Sequence, residues 1–305
     1  MAFKLLEAQL RRLWEANCFQ VPVDQMVFFG LRGCLPLDDA DHEFRMEHHV
    51  DLTEPDYTHP RCTLGQWYQG KVALFPGSTV PHRKYIEKAI AKNGVGTNQM
   101  MLGYYKDYSK GRHKEGGPTE HEAFVQTEGR PIRRTSDDFD YDEDDRVEFS
   151  NPYDNLHAAW SMSVHDSDFG SAGCQVVVGY PQCPKRGENG EAGPWKSFRQ
   201  NAYRLTQDSF PYALLTGRDV LRVTQAAPGT LTVRLRYGSQ GPVVMQLQEA
   251  LKKAGFSAGE IDGDFGKQTA AAVLAYQTAK FGPHWDDGVV GPMTAEALGL
   301  SLPKL

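Results

Sequence analysis

Apolar residues Phe3, Leu6, Leu10 and Leu13 recur at helical spacing, with Lys4, Glu7, Arg11 and Arg12 among them, and predict an amphipathic helix over residues 1–18. Val27-Phe28-Phe29 and Lys71 to Phe75 are short apolar runs of strand character, with turns at Gly33, Pro36 and Pro55. Residues 83–93 form a second helical stretch, ended by Gly94. From 95 to 135 short apolar runs alternate with Gly and polar breaks, which predicts strands and loops. Strand-like text returns over 147–180, around Val176-Val177-Val178. Trp195 to Tyr203 predicts a helix, and Val220 to Val223 and Leu231 to Leu235 predict late strands.

From Leu235 the periodicity changes. Val243, Val244, Leu247, Ala250 and Leu251 keep helical period up to Gly255. An Asp262-Gly263 turn then leads to Gly266 and Thr269, and an Asp287-Gly288 turn leads to Gly291 and Thr294. Asp-Gly suits a tight turn and Thr suits a helix start, so this repeat predicts a small three-helix bundle. The expected fold class is therefore α+β: residues 1–60 as an N-terminal helical arm, a β-rich mixed domain over 61–228, and the bundle over 232–303.

The C-terminal pattern resembles the peptidoglycan-binding domain type 1 family. The resemblance is carried by Gly238-Ser239, Gly241, Val244, Leu247-Gln248, Leu251, Gly255, Asp262-Gly263, Phe265-Gly266, Thr269, Ala272-Val273, Tyr276-Gln277, Asp287-Gly288, Val290-Gly291 and Thr294. It implies peptidoglycan as partner.

A wall-binding module directs attention to nucleophiles upstream. Cys174 stands in Ser171-Ala172-Gly173-Cys174-Gln175, with His157 seventeen residues before it. A thiol attacks as thiolate, and a neighbouring imidazole can take its proton. Two adjacent strands would bring the pair together. The bland reading is a cysteine packed against valines.

The segment resembles the L,D-transpeptidase (YkuD-like) catalytic family, whose motif is a His followed by Ser/Thr-His-Gly-Cys. His157, Ser171, Gly173 and Cys174 match it, while Ala172 replaces the second His and Gln175-Val176 departs from the usual continuation. It is also similar to a set of phage-like and bacterial proteins sharing, in order, Gly111-Arg112-His113, Ala123-Phe124-Val125-Gln126, Arg134 with acids after it, Asn155-Leu156-His157 and Ser171 to Gln175. The resemblance implies Cys174 as nucleophile forming a thioester with a peptidoglycan stem peptide, and His157 as general base and then acid. Ser171 would either orient the imidazole or serve as a turn hydroxyl, and Gly173 would let backbone N–H groups hold an oxyanion. His113, Gln126, Arg134 and Gln175 are the substrate-contact candidates, Arg134 through a bidentate carboxylate pair. His113 could instead replace the missing motif His or sit in a loop, and a strand-edge salt bridge is the favoured alternative for Gln126 and Arg134.

Two other readings stand beside it. His113, His121, His157 and His165, with Glu120 and Asp166, offer donors for a zinc peptidase, although no HExxH pair is present. A non-enzymatic wall anchor, with Cys174 only packing, is the third.

Composition trims the possibilities. Of 305 residues 40% are hydrophobic and 24% charged, which fits folded domains rather than disorder. The net charge of -6 disfavours nucleic acid as the main partner. Five cysteines leave at least one unpaired. The stretch Asp137 to Asp145 is acidic, but Glu143 stands where an EF-hand loop needs Gly, so it reads as a solvated loop. No phosphate-binding glycine loop points to an organic cofactor, and no run is long enough for a membrane span. Charges interrupt the N-terminal apolar residues, so no secretory signal is expected. The expectation is action in the periplasm or cell wall after delivery by another route, as for a secretion-system toxin or phage lysin, with an immunity protein or secretion-system component as possible partners.

Overall fold

The computed structural model describes the chain except Asn93, Ser136, Asp137, Asp140, Asp142 to Asp144, Pro283 and the Asp107 side chain. The acidic stretch therefore lies largely outside the described residues. In chain order the elements begin with β1 (Ala2–Leu6), α1 (Glu7–Glu15), β2 (Val27–Arg32), β3 (Cys34–Pro36), β4 (Glu47–Leu52), β5 (Cys62–Tyr68), β6 (Lys71–Ser78) and α2 (Arg83–Ala91). There follow β7 (Thr97–Met100), β8 (Gly103–His113), β9 (His121–Gln126), β10 (Arg130–Thr135), β11 (Arg146–Ser150), β12 (Leu156–Ala158) and β13 (Gln175–Val177). The chain ends with α3 (Pro194–Tyr203), β14 (Ser209–Thr216), α4 (Gly217–Gln225), α5 (Pro242–Lys253), α6 (Lys267–Phe281) and α7 (Pro292–Leu298). This is an α+β chain with a helical C-terminal unit.

Eight strands close into a barrel in the order β12-β13-β6-β5-β2-β14-β8-β9, and two three-stranded sheets, β1-β4-β3 and β11-β10-β7, accompany it. Alternation along each strand divides the side chains between two cores. Inside, Phe28 stacks on Phe210 with ring centroids 4.5 Å apart and meets Phe124 edge-on at 4.8 Å. Phe198 of α3 reaches this interior, 4.9 Å from Phe28 and 5.0 Å from Phe75. Outside, Phe29, Leu31, Trp67, Leu74 and Leu215 pack against Leu10, Leu13 and Trp14 of α1 and Val220 and Val223 of α4.

Residues 1–60 are not a separate arm. β2 lies inside the barrel, antiparallel to β5 and parallel to β14. The start of the chain is a strand rather than helix, because β1 completes a sheet against β4. Val220 to Val223 is helical despite its β-branched residues. Thr216 and Asp219 form a reciprocal capping box, and the three-residue spacing of the two valines points both at α1.

The helical unit, α5 to α7, closes on its own core of Val244, Leu247, Leu251, Val273, Tyr276 and Val290. It docks on the rest of the chain through backbone bonds from Arg234, Gln240 and Tyr104 to Ala16, Cys18 and Tyr237 respectively, each 2.8–2.9 Å. Arg133 of β10 also donates to the Asp286 carbonyl at 2.6 Å.

Candidate active site

The parallel pair β12–β13 has the register Leu156↔Gln175, His157↔Val176 and Ala158↔Val177. Leu156, Ala158 and Val177 belong to the interior core, so His157 and Val176 face outward. By the same alternation Cys174 and Asn155 continue that outward face, and the Gln175 N–H extends the ladder to the Asn155 carbonyl at 3.0 Å. Cys174 and His157 are thus diagonal neighbours on one face, with Cα positions roughly 8 Å apart for ordinary strand spacing. Residues 159–174 form the crossover that a parallel pair requires.

The loop entering β13 is tightly held. Ser171 Oγ donates to the Cys174 carbonyl at 2.7 Å and accepts from the Gly173 N–H at 3.2 Å. Gly173 has φ +136°, and a Cβ there would collide with the Asn98 amide and the Asp154 carboxylate, which bond one another. The Cys174 thiol points to the Tyr153 carbonyl at 3.8 Å and packs with Ala159, Phe169 and Val176. It is only 9% exposed, and burial, then the Asp154 charge, push its pKa far up, so the sulfur is a thiol at rest. Burial likewise raises the Asp154 carboxyl to about 7, against the opposing charge of Arg130 and the Asn98 bond.

Three imidazoles gather beside this loop. His113 stacks on His157 at 4.1 Å, and His121 stands edge-on to both at 5.4 and 5.6 Å. His113 and His121 face each other across the β8–β9 hairpin. Their protonation follows from their partners. His157 Nδ1 lies 2.8 Å from the Ala158 carbonyl and His121 Nδ1 2.7 Å from the Thr119 carbonyl, so both carry the proton on Nδ1. Each Nε2 is a bare lone pair with no partner among the described residues. His113 is the opposite tautomer. Asn155 Oδ1 accepts from the Gln126 N–H, so its amide nitrogen donates to His113 Nδ1 at 3.0 Å. Burial dominates all three titrations, lowering His113 to about 3, His121 below its usual range and His157 well below it. Lys114 adds to each.

The three rings line a cavity of about 200 Å³ with Lys114, Trp160, Phe169 and Lys185. Cys174 is not part of this lining but packs in one cluster with Phe169, which is. Non-glycine residues with positive φ concentrate here: Lys114 (54°), Tyr153 (61°) and Trp160 (61°) are three of the five described. Such backbone persists where surroundings enforce it, often at functional sites. Among the described residues, no group of three or more His, Cys, Asp or Glu is arranged to hold a metal ion.

The structure distributes the remaining expected residues differently. Ser171 is a turn hydroxyl and does not orient His157, whose Nδ1 is fixed by backbone. Gln175 turns to the interior, donating to the Gly173 carbonyl at 3.2 Å and accepting from Tyr212 at 2.8 Å. Gln126 spends its amide on the Glu128 carbonyl and the Asp154 N–H, at 2.7 and 2.9 Å. Arg134 stands on β10, paired with Glu148 at 2.7 Å and bonded to the Gly96 carbonyl. The hydrogen bonds of Gln175, Gln126 and Arg134 are thus made within the fold. His165 is exposed and is not among the residues that line the cavity. His121, read from sequence only as a metal-ligand candidate, joins the cluster because it opens β9 directly opposite His113, the last residue of β8.

The C-terminal unit repeats one bonding pattern. Gln248 Nε2 donates to Asp262 at 2.8 Å and to Thr269 at 3.1 Å, while its oxygen accepts from the Gly263 N–H at 3.0 Å. Gln277 does the same with Asp287 at 2.8 Å, Thr294 at 3.3 Å and the Gly288 N–H at 2.9 Å. Both threonines thus sit at the third helical position and bond glutamine. The N-caps are Gly266 and Gly291. A family model described as a peptidoglycan binding domain matches residues 240–298, the stretch that contains both copies. The chain carries a peptidoglycan-binding domain. No curated protein and no solved structure matches the chain. No helix among the described residues is long and apolar enough to cross a membrane.

Proposed function

We propose that this peptidoglycan-binding protein is a cysteine enzyme acting on L,D peptide bonds of stem peptides. The observation that carries the reading is the shared outer face of Cys174 and His157, the latter with a bare Nε2 lone pair fixed by its Nδ1 bond. With a resting thiol and a neutral imidazole, attack is general-base assisted. His157 takes the thiol proton as sulfur bonds to the substrate carbonyl carbon. It then gives that proton to the leaving amine as the C–N bond breaks and a thioester remains. Water or a second amine releases the acyl group, giving hydrolysis or exchange. The peptidoglycan-binding domain would hold the barrel against the wall, and action in the periplasm, with delivery as a toxin or lysin, belongs to this proposal. Intact-protein mass spectrometry after brief exposure to stem peptides tests it. A stem-peptide adduct on wild type that is absent from Cys174→Ala is expected, and no adduct with any stem peptide counts against the chemistry.

One observation favours a second reading, a wall anchor without catalysis: the Cys174 thiol is buried among Ala159, Phe169 and Val176. A purely structural thiol would resist alkylation in the native protein and react only on unfolding.

A further inference from the structure

We propose that the histidine-lined cavity is a subsite for a peptide carboxylate, held by Lys114 and Lys185. This rests on the reading above for the identity of the ligand, a stem peptide.

Three cations line the cavity, and only one is spent. Lys84 pairs with Asp168, whereas Lys114 and Lys185 have no acidic partner among the described residues. In a chain of net charge -6, two unpaired cations at one mouth are a local excess. Both side chains are exposed, and both are carried on anchored backbone. Lys114 adopts the left-handed conformation directly after β8. The Lys185 N–H bonds the Pro118 carbonyl at 2.7 Å, tying its loop to the same β8–β9 turn. Its Nζ lies 5.9 Å from the Trp160 ring centroid, over another residue of the lining. Lys114 also acts electrostatically on all three imidazoles and on Cys174, which makes it the shared charged neighbour of the cluster.

The polar complement of the cavity is two-sided. His121 and His157 offer acceptors at Nε2, and His113 offers an Nε2 donor. Peptide N–H groups suit the two acceptors, while a carboxylate suits the lysines and the donor. Trp160 adds an apolar wall. A peptide carrying a free carboxylate close to its reacting carbonyl meets all of these.

The test is calorimetric binding to the full chain carrying Cys174→Ala, so that turnover does not intervene. The probe is a synthetic stem tetrapeptide, with its terminal carboxylate free or amidated, and a third form amidated at its side-chain carboxylate. Lys114→Gln and Lys185→Gln are measured in the same background. Amidation of one carboxylate should weaken binding about tenfold, and Lys114→Gln should weaken the free acid about tenfold. The two losses should not add, because both remove one contact. The form that loses affinity identifies which carboxylate is held. Equal binding of all three forms, or the same loss from Lys114→Gln for each, overturns the subsite. Binding that follows the expected pattern without any turnover by wild type would retain the subsite and reject the enzyme.

Discussion

Asp219 receives both terminal nitrogens of Arg236, each at 3.1 Å, with both side chains 3% exposed or less. The pair joins α4 to the segment leading into the peptidoglycan-binding domain. Burial opposes ionisation of Asp219, but Arg236 outweighs it and holds the carboxyl at about 2. Asp219→Ala leaves a buried guanidinium uncompensated and should cost about 3–5 kcal/mol in thermal or denaturant unfolding. The pH sense follows from the depressed folded value. The contribution is complete above the unfolded pKa of about 4 and is lost as pH falls toward 2, so wild type should converge on the variant in acid.

Asp154 titrates in the other sense. Its folded value of about 7 exceeds the unfolded one, so its contribution to stability is complete below about pH 4 and is lost as pH rises through 7. Asp154→Asn removes that dependence. Melting between pH 5 and 8 should show wild type losing several degrees relative to the variant. Since Asp154 also raises the Cys174 thiol, alkylation of Cys174 should be faster in the variant.

Gln248 and Gln277 each tie a helix to an Asp-Gly turn through buried bonds. Gln277→Leu leaves the Gly288 N–H and Thr294 without their partner, and should destabilise the domain by about 1–3 kcal/mol. Sedimentation with purified sacculi would read the consequence as reduced binding, recovered on cooling.

Under the proposed mechanism His157 is the proton acceptor, and His157→Asn should lower the rate of wall-peptide turnover by about 10²–10⁴-fold with the fold intact by circular dichroism. His121→Asn, which removes the second bare lone pair, distinguishes a shared role from a single base: a loss below threefold assigns the base to His157 alone.

The C-terminal unit was readable because its turn residues recur at fixed spacing and such turns demand particular residue types. The α+β class was likewise legible from the two periodicities. The barrel was not. Val27-Phe28-Phe29 reads as a strand, but nothing local says that it pairs with Cys62–Tyr68 and with Ser209–Thr216, nearly two hundred positions away. The Val220 to Val223 stretch failed because tertiary burial against α1 overrode β propensity. At the candidate site, spacing alone did not join His157 to Cys174 and left two neighbouring strands as the route; the structure pairs His157 with Val176, two residues beyond Cys174, on adjacent parallel strands. The substrate roles expected of Gln126, Arg134 and Gln175 depended on which way each side chain faces. For Gln175 a one-residue alternation decides it, sending Gln175 inward and Cys174 outward.

The central claim is tested most directly by digesting purified peptidoglycan with wild type and Cys174→Ala and identifying the muropeptides by mass spectrometry. The account predicts that wild type removes a terminal D-residue, cuts a crosslink or exchanges an amino acid, and that the variant binds the wall but changes nothing. Wall left unaltered by both proteins, or altered equally by both, would contradict catalysis by Cys174.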